Sequence, residues 1–224
     1  QNLTEDERNS VRYWSAGAVL RWNEILRELV AKHNLPPYQN ADGTYPIPNA
    51  ANPLAYPQFP FANPPYAARA YAYVSAAQYD ALVAAWHYKT QYNRPSPYKV
   101  DSSLQVLIPR SDLPSYPSED AVIEGVTTEM LKLLFPGDQD FIQQKAQEHK
   151  LARIISGANV RSDLDAGETL GRSVAQKFVT RARSDRAGAA VGNANIWAQM
   201  ETDAINRGEV PWISRSEERR VGKE

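Results

Sequence analysis

The sequence predicts an all-α protein, a helical bundle of five to six helices with one long proline-rich loop. Two observations lead to this class. Apolar residues recur at helical spacing in several long segments, and no segment makes a convincing strand. Prolines crowd residues 35 to 65, where their fixed φ and missing amide proton disfavour helices and sheet ladders alike. The aromatic residues of this stretch favour an ordered loop over the helices, with a mobile linker as the alternative.

The first helix is predicted over residues 4 to 32. Thr4 precedes three acidic residues, a pattern typical of a helix N-terminus because the hydroxyl caps an amide and carboxylates favour the positive end of the helix dipole. Val11, Trp14, Ala18 and Trp22 then recur at helical spacing. The pattern indicates one long helix.

The rest of the chain predicts further helices separated by proline-containing loops. A helix from residue 65 ends near Tyr92, because a residue that precedes proline, here Arg94, avoids the helical region. Ser118 and Ser162 precede two later helices as candidate caps. The predicted segments are 65–92, 119–135, 139–156, 162–183 and a weaker 193–206, with a short helical turn around 102–107.

The composition limits the kinds of partner. Of 224 residues, 42% are hydrophobic, which is enough for one core, and we predict a single domain over residues 1–214. The net charge of -1 gives no reason to expect binding to nucleic acid or to an anionic membrane. No apolar run approaches the roughly 20 residues of a membrane span. The absence of cysteine excludes disulfides and thiolate chemistry.

The two ends of the sequence suggest that it is a piece of a longer protein. It begins at Gln1 without an initiator methionine, so we expect that an N-terminal piece is missing, either a removed signal segment or sequence that is simply absent. The first alternative is favoured, with a periplasmic or secreted mature protein. Residues 215–224 have no apolar periodicity, and we suspect that they are a non-native tail after a natural chain truncated near Ser214. A truncation would leave apolar helix faces uncovered, and oligomerisation is open.

Three separated segments supply the donors that a tetrahedral oxyanion requires. Lys89 and Arg94 stand at the end of the second predicted helix, and Ser118 with the amides after it opens the third. Arg153 lies in the fourth helix, six residues before Asn159. Guanidinium groups, a lysine and free helix N-terminal amides are the usual ligands of phosphate.

In this order the segments resemble the superfamily of type 2 phosphatidic acid phosphatases and vanadium haloperoxidases, in its soluble bacterial branch. That family has a Lys with a later Arg-Pro, then Pro-Ser-Gly-His, then Ser-Arg with a His six residues after the Arg and an Asp four residues beyond. The counterparts here are Lys89, Arg94 and Pro95, then Pro117, Ser118, Glu119 and Asp120, then Ala152, Arg153, Asn159 and Asp163. The resemblance covers roughly residues 64 to 183 and implies the family's helical bundle.

The resemblance also implies roles for these residues. Asp120, Asn159 and Asp163 take the catalytic positions, and five residues take the phosphate-binding positions. These five are Lys89, Arg94, Ser118, Glu119 and Arg153. In the family one histidine attacks phosphorus or coordinates vanadium and another protonates the leaving group, but here Asn159 and Asp120 replace them. An amide nitrogen with a delocalised lone pair is not a nucleophile, so the family's phosphohistidine mechanism is not expected.

Three functional hypotheses follow. The first is a phosphatase-type hydrolase of phosphate esters, with Asp120 as acid or base and a water positioned by Asn159. The second is a catalytically inactive relative that binds an oxyanion or a partner, in which Asp120 and Asp163 pair with the arginines. The third is a vanadium-dependent haloperoxidase with vanadate as its cofactor; the other two need no cofactor. Carboxylates beside basic residues favour salt bridges over a metal site.

His149 lies one turn before Arg153 and shares its helix face, so it is the best substitute for a missing histidine. An exposed helix histidine beside Lys150 is the more common situation, and the sequence favours it here.

Overall fold

A computed structural model of the chain describes residues 3–33, 40–43, 64–187 and 194–209. Within these ranges the regular structure is helical and no strand occurs, so the predicted all-α helical bundle is confirmed. The predicted number of five to six helices is wrong, because the described residues form eight α-helices. No helix among the described residues has an apolar stretch long enough to cross a bilayer. The helices are α1 (Glu5–Trp14), α2 (Ala18–His33), α3 (Pro64–Tyr92), α4 (Pro97–Val100), α5 (Glu119–Leu134), α6 (Gln139–Ile155), α7 (Arg161–Ser184) and α8 (Ala194–Asn206), with a 3-10 turn at Pro136–Asp138.

The first predicted helix is wrong as a single element, because the chain breaks between α1 and α2. The capping prediction at Thr4 is confirmed, since its hydroxyl accepts from the Glu7 amide and the Glu7 carboxylate accepts from the Thr4 amide. The break lies at Gly17, whose φ of +115° is a conformation that residues with a side chain avoid. Apolar residues resume at Ala18, so the sequence pattern looks continuous across the break.

The later helix boundaries agree with the prediction to within a residue or two, with one exception. The short turn expected at 102–107 is wrong, and the short helix between α3 and α5 is α4 instead. Ser96 and Pro97 explain its place, because proline is pre-organised for the first helical position and needs no amide partner there. The proline-rich stretch of residues 35–65 lies largely outside the described residues, as does the suspected tail at 215–224.

Helix α5 is the centre of the bundle, and α2, α3, α6 and α7 pack around it. Its closest neighbour is α7, and two glycines of α7 allow the approach. A Cβ at Gly167 would lie 2.4 Å from the Ser118 carbonyl oxygen, and one at Gly171 would lie 2.2 Å from that of Val122. These contacts place the first turn of α7 beside the first turn of α5, where the Ser118 amide donates to the Asp163 carbonyl oxygen (2.9 Å).

Candidate functional site

The residues predicted for an oxyanion site converge at one end of the bundle. Asn159 is bonded to the other segments through its side-chain amide. Its oxygen accepts from the Ser118 hydroxyl (3.3 Å) and from Nε of Arg153 (3.2 Å), and its nitrogen donates to the Ser115 carbonyl oxygen (3.2 Å). The loop before α5, the last turns of α6 and the loop before α7 therefore meet at this buried side chain.

Asp163 is fully buried and forms an ion pair with Arg94, with 2.8 Å between Oδ1 and Nη1. Its other oxygen accepts from the Val160 amide (3.0 Å), at the N-terminus of α7. The expectation that Ser162 caps this helix is wrong, because α7 begins at Arg161 and Asp163 reaches back to the amide of the capping position. The Ser162 hydroxyl instead accepts from Arg94 (2.9 Å).

Asp120 is held by two basic side chains. Its Oδ2 lies 3.1 Å from Nη2 of Arg153, and its Oδ1 lies 3.4 Å from Nε2 of His149. Burial raises the pKa of Asp120, but the charge of Arg153, the bond to His149 and the charge of Lys89 outweigh it, so the pKa lies below its ordinary value. Asp120 is therefore ionised at neutral pH and holds no proton to donate.

His149 is buried, with 1% of its surface exposed, so the expectation of an exposed histidine is wrong. Its Nδ1 accepts from the indole N–H of Trp22 (3.2 Å), which leaves the proton on Nε2, facing Asp120. The Trp14 ring stacks on the imidazole at 4.1 Å between centroids. Burial lowers the pKa of His149, despite the bond to Asp120 and its charge, so the ring is neutral.

The sequence contains a signal for this burial. Ile142, Ala146, His149 and Ala152 recur at helical spacing and are the buried residues of α6. His149 therefore lies on the core face of the helix.

Lys89 and Glu119 form a looser pair. The Lys89 ammonium is buried, donates to the Pro114 carbonyl oxygen and lies 3.8 Å from Oε2 of Glu119. That oxygen is enclosed and accepts no hydrogen bond from any described residue. Burial lowers the pKa of Lys89 and raises the pKa of Glu119, so both groups are shifted toward their neutral forms.

Two cavities meet at the site. A small one of about 120 Å³ is lined by six of the predicted site residues, which are Lys89, Ser118, Glu119, Asp120, Arg153 and Asn159. A cleft of about 970 Å³ opens between the turn from α1 to α2 and helix α3. Glu119, Asp120 and Arg153 line both cavities and separate them. Arg94 and Asp163 belong to the ion-pair network but line neither cavity.

Several carboxylates near the site are paired with cations. Glu168, for example, lies 2.7 Å from Nζ of Lys150 and 2.6 Å from Nη2 of Arg172. In the described part of the chain, no group of three or more His, Asp or Glu side chains is arranged to hold a metal ion.

Comparison of the sequence with protein-family models gives no match, and comparison with curated proteins gives none either.

Proposed function

We propose that this chain is a non-catalytic relative of the type 2 phosphatidic acid phosphatase and vanadium haloperoxidase superfamily, in which the oxyanion pocket has become an internally neutral polar network. The proposal draws support from the convergence of the three motif segments, which are far apart in the sequence. One observation favours this proposal over the other two hypotheses. Every cation of the set has a carboxylate partner, in the pairs Arg94 with Asp163 (2.8 Å), Arg153 with Asp120 (3.1 Å) and Lys89 with Glu119 (3.8 Å).

A phosphatase requires donors that are free to hold the phosphoryl oxygens. Arg153 is already engaged, since its Nη2 forms an ion pair with Asp120 (3.1 Å) and its Nε donates to Asn159. A phosphate that approached Arg153 would also meet the negative charges of Asp120 and Glu119 at close range, where like charges repel. Phosphate binding therefore requires that the internal ion pairs open first.

Neither Asn159 nor His149 is available as a nucleophile in this network. The Asn159 amide donates to a backbone carbonyl and accepts two hydrogen bonds, so its position suits a structural bond. Both nitrogens of His149 are engaged, one by Trp22 and the other by Asp120. Neither side chain is placed to attack phosphorus or to coordinate vanadate, so the haloperoxidase hypothesis has less support and a hydrolase would have to use water as its nucleophile.

The test is titration calorimetry of phosphate and of vanadate into the full chain. We expect no binding of either anion to the wild type at millimolar concentration. Asp120→Asn removes the charge that neutralises Arg153 and should improve phosphate affinity by about tenfold or more. Asp165→Asn, which removes an exposed carboxylate outside both cavities, should change nothing.

Micromolar phosphate binding by the wild type, or turnover of a phosphomonoester, would contradict the proposal. No gain in Asp120→Asn would show that this carboxylate does not close the pocket. The double variant Asp120→His with Asn159→His tests the relationship to the superfamily separately. Restoring both imidazoles should restore vanadate or phosphate binding only if the three segments have the superfamily's arrangement.

A further inference from the structure

The small cavity of about 120 Å³ contains a buried amine to which the closed network gives no chemical role. Lys89 lines this cavity, and its side-chain nitrogen lies 3.8 Å from Oε2 of Glu119. The Trp86 ring, which lines the larger cleft, has its centroid 5.6 Å from the same nitrogen. The amine therefore lies where the small cavity adjoins the open cleft.

Lys89 and Glu119 can exchange a proton without changing the net charge of the pair. Burial lowers the pKa of Lys89 and raises the pKa of Glu119, so both shifts favour the neutral amine and the neutral carboxyl. A neutral amine has a lone pair, and desolvation is a common way in which proteins activate lysine as a nucleophile. The bond to the Pro114 carbonyl oxygen uses one N–H group and leaves this lone pair free.

The charges around the cavity favour an uncharged ligand. Two cations, Lys89 and Arg153, line it together with two carboxylates, Glu119 and Asp120, and the other lining residues are uncharged. A charged ligand of either sign would meet repulsion as well as attraction there. A neutral molecule needs no ion pair to open.

The hydroxyl groups of the lining favour a ligand that donates hydrogen bonds. Ser96, Tyr98 and Ser115 line the cavity, and each donates its hydroxyl proton to a backbone carbonyl oxygen. A hydroxyl oxygen has two lone pairs, so these three oxygens keep the capacity to accept. The cavity is also far smaller than the roughly 300 to 1,000 Å³ of pockets for drug-sized ligands, so the ligand has few atoms.

We propose that Lys89 forms a Schiff base with a small, uncharged hydroxyaldehyde in this cavity. The amine nitrogen attacks the carbonyl carbon, the N–C bond forms, and the carbonyl oxygen takes the proton of the Glu119 carboxyl. The Glu119 carboxylate then takes a proton from the nitrogen and returns it to the hydroxyl group, which leaves as water. The ammonium group and the aldehyde thus give an iminium and water, and Glu119 is regenerated as a carboxylate.

The ion pair favours this reaction over other modifications of the amine. An iminium keeps the positive charge of Lys89 beside Glu119, and its single N–H group can keep the bond to the Pro114 carbonyl oxygen. Acylation would remove the charge and leave the enclosed Glu119 oxygen without its cationic neighbour, which is costly for a buried ion. This reactivity goes beyond the closed network and does not depend on whether that network binds phosphate.

The experiment is reductive trapping of the full chain with glycolaldehyde and cyanoborohydride, followed by peptide mass spectrometry. The readout is the labelling rate of Lys89 divided by that of Lys145, because this ratio cancels differences in the reactivity of aldehydes in solution. Lys145 is the matched control, since it also pairs with a glutamate, Glu148, at 2.8 Å, but is partly exposed. We expect a ratio of at least about ten, because burial favours the neutral amine only at Lys89.

Two further aldehydes test the selection of the ligand. Propanal has as many heavy atoms as glycolaldehyde but no hydroxyl group, and glyoxylate is an anion. The ratio should fall about fivefold for propanal, which lacks one hydrogen bond to the lining, and should be lowest for glyoxylate.

A variant that fills the cavity tests where the reaction takes place. Ala158 lines the cavity, and Ala158→Leu should lower the ratio by about tenfold because it occupies the space of the aldehyde. Ala166→Leu adds the same side chain at a position that lines a separate groove between α3 and α7, and it should preserve the ratio.

Three results would overturn the proposal. They are a ratio of about one or less in the wild type, a ratio that is highest for glyoxylate, and an unchanged ratio in Ala158→Leu with the wild-type melting temperature. The phosphate titrations use neither aldehydes nor these variants, so the two proposals can fail independently.

Discussion

Two buried carboxylates one turn apart on α5 have opposite electrostatic situations. Asp120 lies between Arg153 and His149, and its pKa is lowered. Glu124 is buried more deeply, at 1% exposed, with one oxygen 3.4 Å from the Thr128 hydroxyl and the other without a partner among the described residues. The pKa of Glu124 is raised to about 7, and burial is the largest cause.

The cations near Glu124 are engaged elsewhere. Lys150 from α6 and Arg172 from α7 both pair with Glu168 of α7, at 2.7 and 2.6 Å. The charge of Glu168 raises the pKa of Glu124 further, and Lys150 and Arg172 only partly offset it. The comparison shows that the partner of a carboxylate, and not its depth alone, decides whether it is ionised in the folded protein.

The largest effect is expected from separating the two helices that bury both carboxylates. Gly171→Ala places a methyl group 2.2 Å from the Val122 carbonyl oxygen and 2.8 Å from the Val126 amide nitrogen, so α5 and α7 must move apart. We expect the free energy of unfolding, measured with urea, to fall by about 3 kcal/mol. Gly137→Ala is the control, because nothing lies within 4 Å of the added methyl group, and an equal loss in this control would refute the explanation.

Glu124→Gln should change the free energy of unfolding by a smaller amount and in the opposite direction, as a gain in stability. The folded protein binds the Glu124 proton more tightly than the unfolded chain does, so stability falls as the pH rises from the ordinary pKa of 4.5 through the folded value of about 7. Glu124→Gln does not lose stability in this way, because a glutamine side chain does not titrate. It should be more stable than the wild type by about 2 kcal/mol near pH 8 and no more stable near pH 4.

Asp120→Asn provides the contrast with Glu124→Gln, because it should reduce the free energy of unfolding at neutral pH. The lowered pKa of Asp120 gives stability that is present above the ordinary pKa of 3.8 and is lost only as the pH falls through the folded value. Urea unfolding of both variants across the pH range measures the two profiles. The same sign of change in both variants near pH 8 would refute the comparison.

The smallest effect concerns the one hydroxyl that Glu124 accepts from. Thr128→Val keeps the shape of the side chain but removes this donor, so the pKa of Glu124 should rise further, at a cost near pH 8 of about 1 kcal/mol. Carboxyl carbon NMR shifts of Glu124 across a pH titration measure the change. Thr127→Val, which removes a bond to Gln78 instead, should leave that titration unchanged.

The helical segments could be predicted because their signals are local. Helical spacing, the Thr4 cap and the prolines after α3 and α5 act within a few residues, so the boundaries of the long helices agree with the structure. The break at Gly17 could not be predicted with equal ease, because the apolar pattern continues on both sides and a glycine inside a helical pattern does not by itself require a positive φ.

The sequence brought the candidate site residues together as one set, but it offered their pairing only as one of three alternatives. The spacing of Arg153, Asn159 and Asp163 along the chain brought them into the predicted set, and the structure places them together. Whether Arg153 is free or paired depends on Asp120, which is distant in sequence. The burial of His149 likewise depends on residues that are distant in sequence, because Trp14 and Trp22 from other helices enclose it.

The sequence by itself therefore determined the helical class, the main helices and the residues gathered at the end of the bundle. Only the tertiary structure decided which of the possible ion pairs form, which two carboxylates have an oxygen without a partner among the described residues, and where the apolar cleft opens. The physical reason is the distance along the sequence over which each interaction acts. Caps and helical periodicity depend on neighbours within a turn or two, whereas burial, ion pairing and the resulting pKa values depend on groups that only packing brings together.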